Sequence, residues 1–157
     1  MSADNQQERL DSKWIVGFVD GEGCFHVSIN KLQKMTLHCQ VLPEFRVVQH
    51  QHDEKILYEI QRYFGFGKVT RNHDDRKEFR VRGIKNLNKI VKFFKKYPLK
   101  TSKQKNFELF SEILNLMNKK KHLTKEGLQK IAKLSSQMNR KSRMLESSET
   151  IRQNSSE

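Results

Sequence analysis

Long apolar runs are missing from this sequence. No stretch reaches the roughly 18 to 20 apolar residues that a membrane-spanning helix needs. Cysteine is scarce too: Cys24 and Cys39 are the only two, too few for a disulfide scaffold and in keeping with a reducing compartment. The opening MSADNQQERLD has neither the basic start and apolar stretch of a signal peptide nor the arginine richness of a transit peptide, so no targeting segment is expected. Apolar residues make up only 35% of the chain, yet ten Phe, three Tyr and one Trp remain, enough for a real core. At 157 residues the length suits one domain.

Acidic side chains are the other shortage. Eighteen Asp and Glu face 31 Lys and Arg, for a formal net charge of +13. The imbalance is local: residues 1–60 hold 6 basic and 9 acidic residues, and residues 61–157 hold 25 and 9. One part of the folded chain must therefore carry a strong positive field. Nucleic acid is the first partner such a field suggests, ahead of an anionic membrane or a merely solvated surface.

Periodicity orders the elements. SKWIVGFVD, residues 12–20, reads as a short apolar helix capped by Asp11 or Ser12 and ended by Gly21 and Gly23. CFHVSIN alternates as a half-buried strand, and LHCQVLPEFRVVQ alternates again, with Pro43 requiring an edge position or a bulge. DEKILYEIQRYF is a helix stopped by Gly65. Two short strands follow around a turn at NHDD, residues 72–75. IKNLNKIVKFFKKY is an amphipathic helix closed by Pro98. Phe107, Phe110, Ile113, Leu114 and Met117 mark another helix, and Thr124 caps a last one. Residues 1–11 are expected to be flexible, and residues 144–157, rich in Ser and Glu, disordered.

Four strands with helices on their apolar side make an α+β fold of order αββαββα with extra C-terminal helices. Strand parity then collects Ser28, Asn30, His38, Gln40, Glu44, Arg46, Lys68, Thr70, Asn72, Glu78, Arg80 and Arg82 on the opposite face. These are hydrogen-bonding and mostly cationic types, suited to base edges in a major groove. An ordinary solvated sheet face is the plainer alternative.

The segment WIVGFVDGEG, residues 14–23, resembles the LAGLIDADG motif of homing endonucleases and intron maturases. Gly17, Asp20, Gly21 and Gly23 match the pattern, Glu22 takes the place of the final acid, and Val16 departs from the smaller residue common there. The resemblance extends over roughly residues 10–140 and implies one endonuclease domain, residues 12–143, with its four-stranded antiparallel sheet as a DNA-binding saddle. It implies a divalent ion, Mg²⁺ with Mn²⁺ as substitute, bound by Glu22 and by the carbonyl of Gly21, with Ca²⁺ supporting binding but no turnover. Asp20 is implied to be structural, capping the partner helix. By local context, Gln49 corresponds to a residue of the solvent network around the nucleophile and Lys103 to a cation near the scissile phosphate, although Lys100 and Lys105 lie close.

The residues support a pairing independently. Gly17 and Gly21 are four apart, so they share a helix face. Without Cβ atoms there, two such helices can meet backbone to backbone, and the chain holds one copy of the motif. The expectation is a two-fold homodimer through Gly17, Asp20 and Gly21, against the alternative of a helix buried within one subunit. The expected function is metal-dependent cleavage of both strands of a long near-palindromic DNA, serving intron mobility. A group I intron maturase, with intron RNA as ligand, and a non-catalytic DNA-binding regulator remain alternatives. Lys outnumbers Arg by 21 to 10, which suggests an AT-rich organellar genome, mitochondrial or chloroplast. The string His50-Gln51-His52 lacks the companion ligands of a zinc site.

Overall fold

In the computed structural model, which describes residues 9–34 and 37–138, Asp11 starts the first helix by accepting the Trp14 amide at 2.7 Å. Helix α1 (Ser12–Glu22) buries Ile15, Val16 and Val19. It runs two residues past the expected Asp20, so Gly21 and Glu22 are helical rather than part of a turn. Gly23 ends it, and there glycine is required. A Cβ at Gly23 would lie 2.6 Å from Val19 Cγ1, because the chain turns from helix straight into strand β1 (Gly23–Lys31).

Strand β1 pairs antiparallel with β2 (Cys39–His50). Helix α2 (Glu54–Phe64) follows and ends at Gly65 in the left-handed conformation, φ 80°. Strands β3 (Lys68–Arg71) and β4 (Arg76–Val81) complete a four-stranded antiparallel sheet of order β1-β2-β4-β3. Helices α3 (Ile84–Lys96), α4 (Lys103–Asn118) and α5 (Lys125–Gln137) close the chain. The α+β order αββαββα with two further helices is therefore the observed one. Pro43 sits where β2 has only β1 beside it, since pairing with β4 begins at Phe45 opposite Val81. That is the edge-like position a proline tolerates.

All the helices pack on one sheet face. Phe25 is the hub, with its ring 5.2 to 5.6 Å from those of Phe45, Phe94, Phe107 and Phe110. Helix α5 also guards the outer edge of β1: Ser135 Oγ donates to the Val27 carbonyl at 3.1 Å. Residues 1–8 and 139–157, which hold most of the expected flexible start and the whole expected tail, lie outside the described residues. Among the described residues no helix is long and apolar enough to cross a membrane.

Candidate active site and nucleic-acid interface

The C-terminal end of α1 is where charged side chains converge. Asp20 accepts three hydrogen bonds from the stretch leading into α4: Lys100 N at 2.7 Å, Thr101 N at 3.1 Å and Thr101 Oγ1 at 2.8 Å. Partial burial pushes the Asp20 carboxyl pKa up, but these donors and the nearby Lys103 charge outweigh it, and the net shift is downward. Asp20 thus ties α1 to the stretch before α4 within its own chain.

Lys103, the first residue of α4, reaches back to the end of α1. Its Nζ donates to the carbonyls of Val19 at 2.8 Å and Asp20 at 3.0 Å. A cation is favoured there, because the last carbonyls of a helix lack intrahelical partners and carry the negative end of its dipole. Burial pushes the Lys103 pKa down, and Cys24, Asp20 and Glu22 pull it back up only in part. Glu22 itself is exposed at the helix end. Glu22, Gly21, Asp20 and Lys103 therefore form one cluster. Gln49 does not join it within the chain: it lies near the end of β2, in a concavity with Phe18, Ile56 and Glu59, and makes no hydrogen bond to Glu22 or Lys103 among the described residues.

Beside the cluster runs a bare stripe. A Cβ added at Gly17 or at Gly21 would meet nothing within 4 Å. Trp14 is 39% exposed and stacks on Phe18, centroids 4.7 Å apart. A helix that buries one side in its own core and presents glycines and an aromatic pair on the other has the form of an interface.

The sheet face away from the helices is polar, as strand parity required. Register places Cys24, Arg46, Arg80 and Lys68 in one cross-strand row, with Ser28 and Asn30 farther along β1, Gln40 on β2 and Thr70 on β3. Asn72 and Arg82 extend the face just beyond β3 and β4. Three expected members differ, Glu78 among them: it is 5% exposed and held by Arg80 and Asn72. His38 precedes β2, at φ 55°, with Nδ1 3.2 Å from the Gln33 carbonyl, so it belongs to the β1–β2 connection and not to the face. Glu44 is only 6% exposed and held by arginines, so its carboxylate is not presented to a ligand. The face also carries Leu42, Val48, His50 and Arg76, which the sequence reading passed over although their parity places them there.

A family model described as LAGLIDADG endonuclease matches residues 15–114, from α1 into α4. The chain belongs to the LAGLIDADG endonuclease family. Among solved structures it is similar to the homing endonuclease I-TnaI, with TM-score 0.82 and 50% identity over 83% of this chain and 89% of that one. It is similar as well to I-SmaMI bound to uncleaved DNA target in the presence of calcium ions, with TM-score 0.82 and 34% identity over 83% of this chain and 45% of that one. A curated relative, probable intron-encoded endonuclease 3 of Neurospora crassa, is 34% identical over 126 residues, 78% of this chain and 24% of its own length. The chain spans about a quarter of the length of three curated relatives it matches, among them two probable intron-encoded endonucleases of Neurospora crassa.

The LAGLIDADG helix end offers donors of the right kind for a hard divalent cation. Glu22 supplies an exposed carboxylate and Gly21 a last-turn carbonyl, both oxygen ligands suited to Mg²⁺. Among the described residues no three His, Cys, Asp or Glu side chains gather closely enough to hold a metal alone. A second copy of the helix end, brought up along the glycine stripe, would double the donor set.

Proposed function

We propose that this LAGLIDADG chain is a site-specific DNA endonuclease that acts as a two-fold homodimer through α1 and cleaves both strands of a near-palindromic target with Mg²⁺. The observation that carries the reading is the cluster itself: an exposed Glu22 carboxylate and a half-buried Lys103 at the end of a helix with bare glycines, beside a cationic sheet face. The DNA-bound I-SmaMI structure, of which this chain covers 45%, supports both a DNA partner and an assembly of two such units. Endonuclease names among the intron-encoded relatives support the activity, and the excess of Lys over Arg supports an organellar gene.

The saddle positions the duplex, with Ser28, Asn30, Gln40, Arg46, Lys68, Thr70, Asn72, Arg80 and Arg82 toward the grooves. Glu22 and the Gly21 carbonyl of each chain would hold the cation. When bound, the cation supplies charge that stabilises the phosphate oxygens during hydrolysis. Lys103 keeps its ammonium beside the same position, where negative charge develops on the scissile phosphate. Gln49 orders solvent at the rim. Asp20 fixes the distance between Glu22 and Lys103 by joining α1 to α4. The two-fold relation sets one cut per strand and a target of about two helical turns. An intron maturase has no feature in its favour here, since splicing assistance has no use for the exposed acid.

The test is selection from a randomised duplex library in Mg²⁺ and, in parallel, in Ca²⁺. The reading expects one near-palindromic sequence enriched in both, cut in Mg²⁺ and intact in Ca²⁺. Enrichment without any cut in Mg²⁺ or Mn²⁺ would contradict it.

A further inference from the structure

Two acids lie buried in the middle of the cationic face. Glu44 on β2 is 6% exposed and Glu78 on β4 is 5% exposed, the two buried charged residues among those described. A carboxylate on a DNA-facing surface repels phosphate, and one removed from water is costly unless it is paired. Here each is paired. Glu44 Oε2 accepts from Arg82 Nε at 2.8 Å, and Glu44 Oε1 lies 3.3 Å from Arg46 Nε, close enough for attraction though not aligned as a hydrogen bond. Glu78 Oε1 lies 3.2 Å from Arg80 Nη1, and Glu78 Oε2 accepts from Asn72 Nδ2 at 3.3 Å.

The register explains why acids stand there. Arg46 is directly opposite Arg80, and Arg80 is directly opposite Lys68, so three cations share one row across β2, β4 and β3. Like charges facing each other across a ladder repel. Glu44 stands two residues from Arg46 along β2, and Glu78 two residues from Arg80 along β4, so the acids flank the row on opposite sides. The arginine side chains nevertheless stay 31% to 45% exposed. Arg82 engages Glu44 through Nε, which leaves its two terminal amino groups for another acceptor. A guanidinium held this way presents a fixed pair of donors, the arrangement that matches O6 and N7 of guanine.

We propose that Glu44 and Glu78 are specificity-determining positioning residues: they fix Arg46, Arg82 and Arg80 for base reading and lower the non-specific attraction of the face for phosphate. The inference rests on the DNA-endonuclease reading above and adds which residues set its selectivity. Each acid governs its own arginines, so each controls different base pairs of the target.

The experiment measures binding in Ca²⁺ of the full chain and of Glu44→Gln and Glu78→Gln, on the selected duplex and on random duplex, across a salt series, with a selected-sequence profile for each variant. Expected for each variant is tighter binding to random DNA, with a log–log salt slope steeper by about 0.9 per added phosphate contact. Preference should fall roughly tenfold at the base pairs read by the released arginines, at different positions in the two variants. Thermal melting of each variant keeps the result readable. Should Glu44→Gln fail to fold, Glu78→Gln carries the test alone, because its partners Arg80 and Asn72 are separate. A uniform loss of affinity at every position, or unchanged profiles, overturns the inference while a selective wild type stands. A wild type that prefers no sequence overturns the endonuclease reading, and this inference with it.

Discussion

Asp20 and Lys103 act on each other through the peptide backbone as much as through charge. The Asp20 carboxylate takes three donors from the Lys100–Thr101 stretch, and Lys103 Nζ takes two carbonyls from the end of α1. Because the folded Asp20 pKa is lowered, its contribution to stability is present above the unfolded value of about 3.9 and is lost as pH falls through the folded one. Thermal melting of wild type and Asp20→Asn should therefore differ at pH 7, with the gap narrowing as pH falls below the unfolded value; a gap that does not narrow in acid would place the effect elsewhere. Lys103→Met removes the cation that closes α1. A destabilisation of about 1 to 2 kcal/mol is expected, with cleavage lost far beyond what binding loses, as single-turnover rates beside binding isotherms would show. The motif made both residues legible as candidates. It did not show their hydrogen bonds, because the partners are some 80 positions apart in sequence and meet only when the start of α4 reaches the end of α1.

Among the elements, α1 and the sheet were read differently well. Alternation in CFHVSIN and in the run around Phe45 gave the sheet faces correctly, since a one-residue slip would have placed Phe25, Phe45 and Phe79 in solvent. Alternation is silent about where a strand begins. His38 fits the pattern by parity, yet its backbone at φ 55° closes the connection instead. It is equally silent about depth: Glu44 and Glu78 share a face with exposed arginines and are themselves covered by them. The end of α1 was placed early because Gly21 reads locally as a breaker, whereas the Lys103 ammonium and the Gly23 amide on the Val19 carbonyl hold that last turn. The glycine stripe gives the element its own test. A Cβ at Gly17 meets nothing within 4 Å in the single chain, so Gly17→Leu should keep the fold, with helix propensity improved by up to about 0.8 kcal/mol. Light scattering should show the mass falling from two chains to one, and a dimer that survives would remove α1 from the interface.

Taken whole, the molecule separates its tasks by side. The helices and the Phe25 cluster occupy one face of the sheet, a row of cations lies on the other, and the acid-bearing end of α1 lies beside the glycine stripe. The net charge of +13 announced the partner class from composition alone. It could not show that part of the positive charge is held in check by buried acids, a property of the folded sheet and not of the count. Binding to random duplex should weaken steeply with salt, by about 0.9 log units per tenfold increase for each phosphate contacted; a flat response would rule out the cationic face as the binding surface.

The central claim is that the exposed Glu22 carboxylate at the end of α1 holds the cation on which cutting depends. Its most direct measurement compares wild type with Glu22→Gln on the selected duplex, scoring cleavage in Mg²⁺ and binding in Ca²⁺ on the same preparations. The account predicts cleavage down at least about a hundredfold with binding within a few-fold of wild type. Cleavage retained by Glu22→Gln would contradict it.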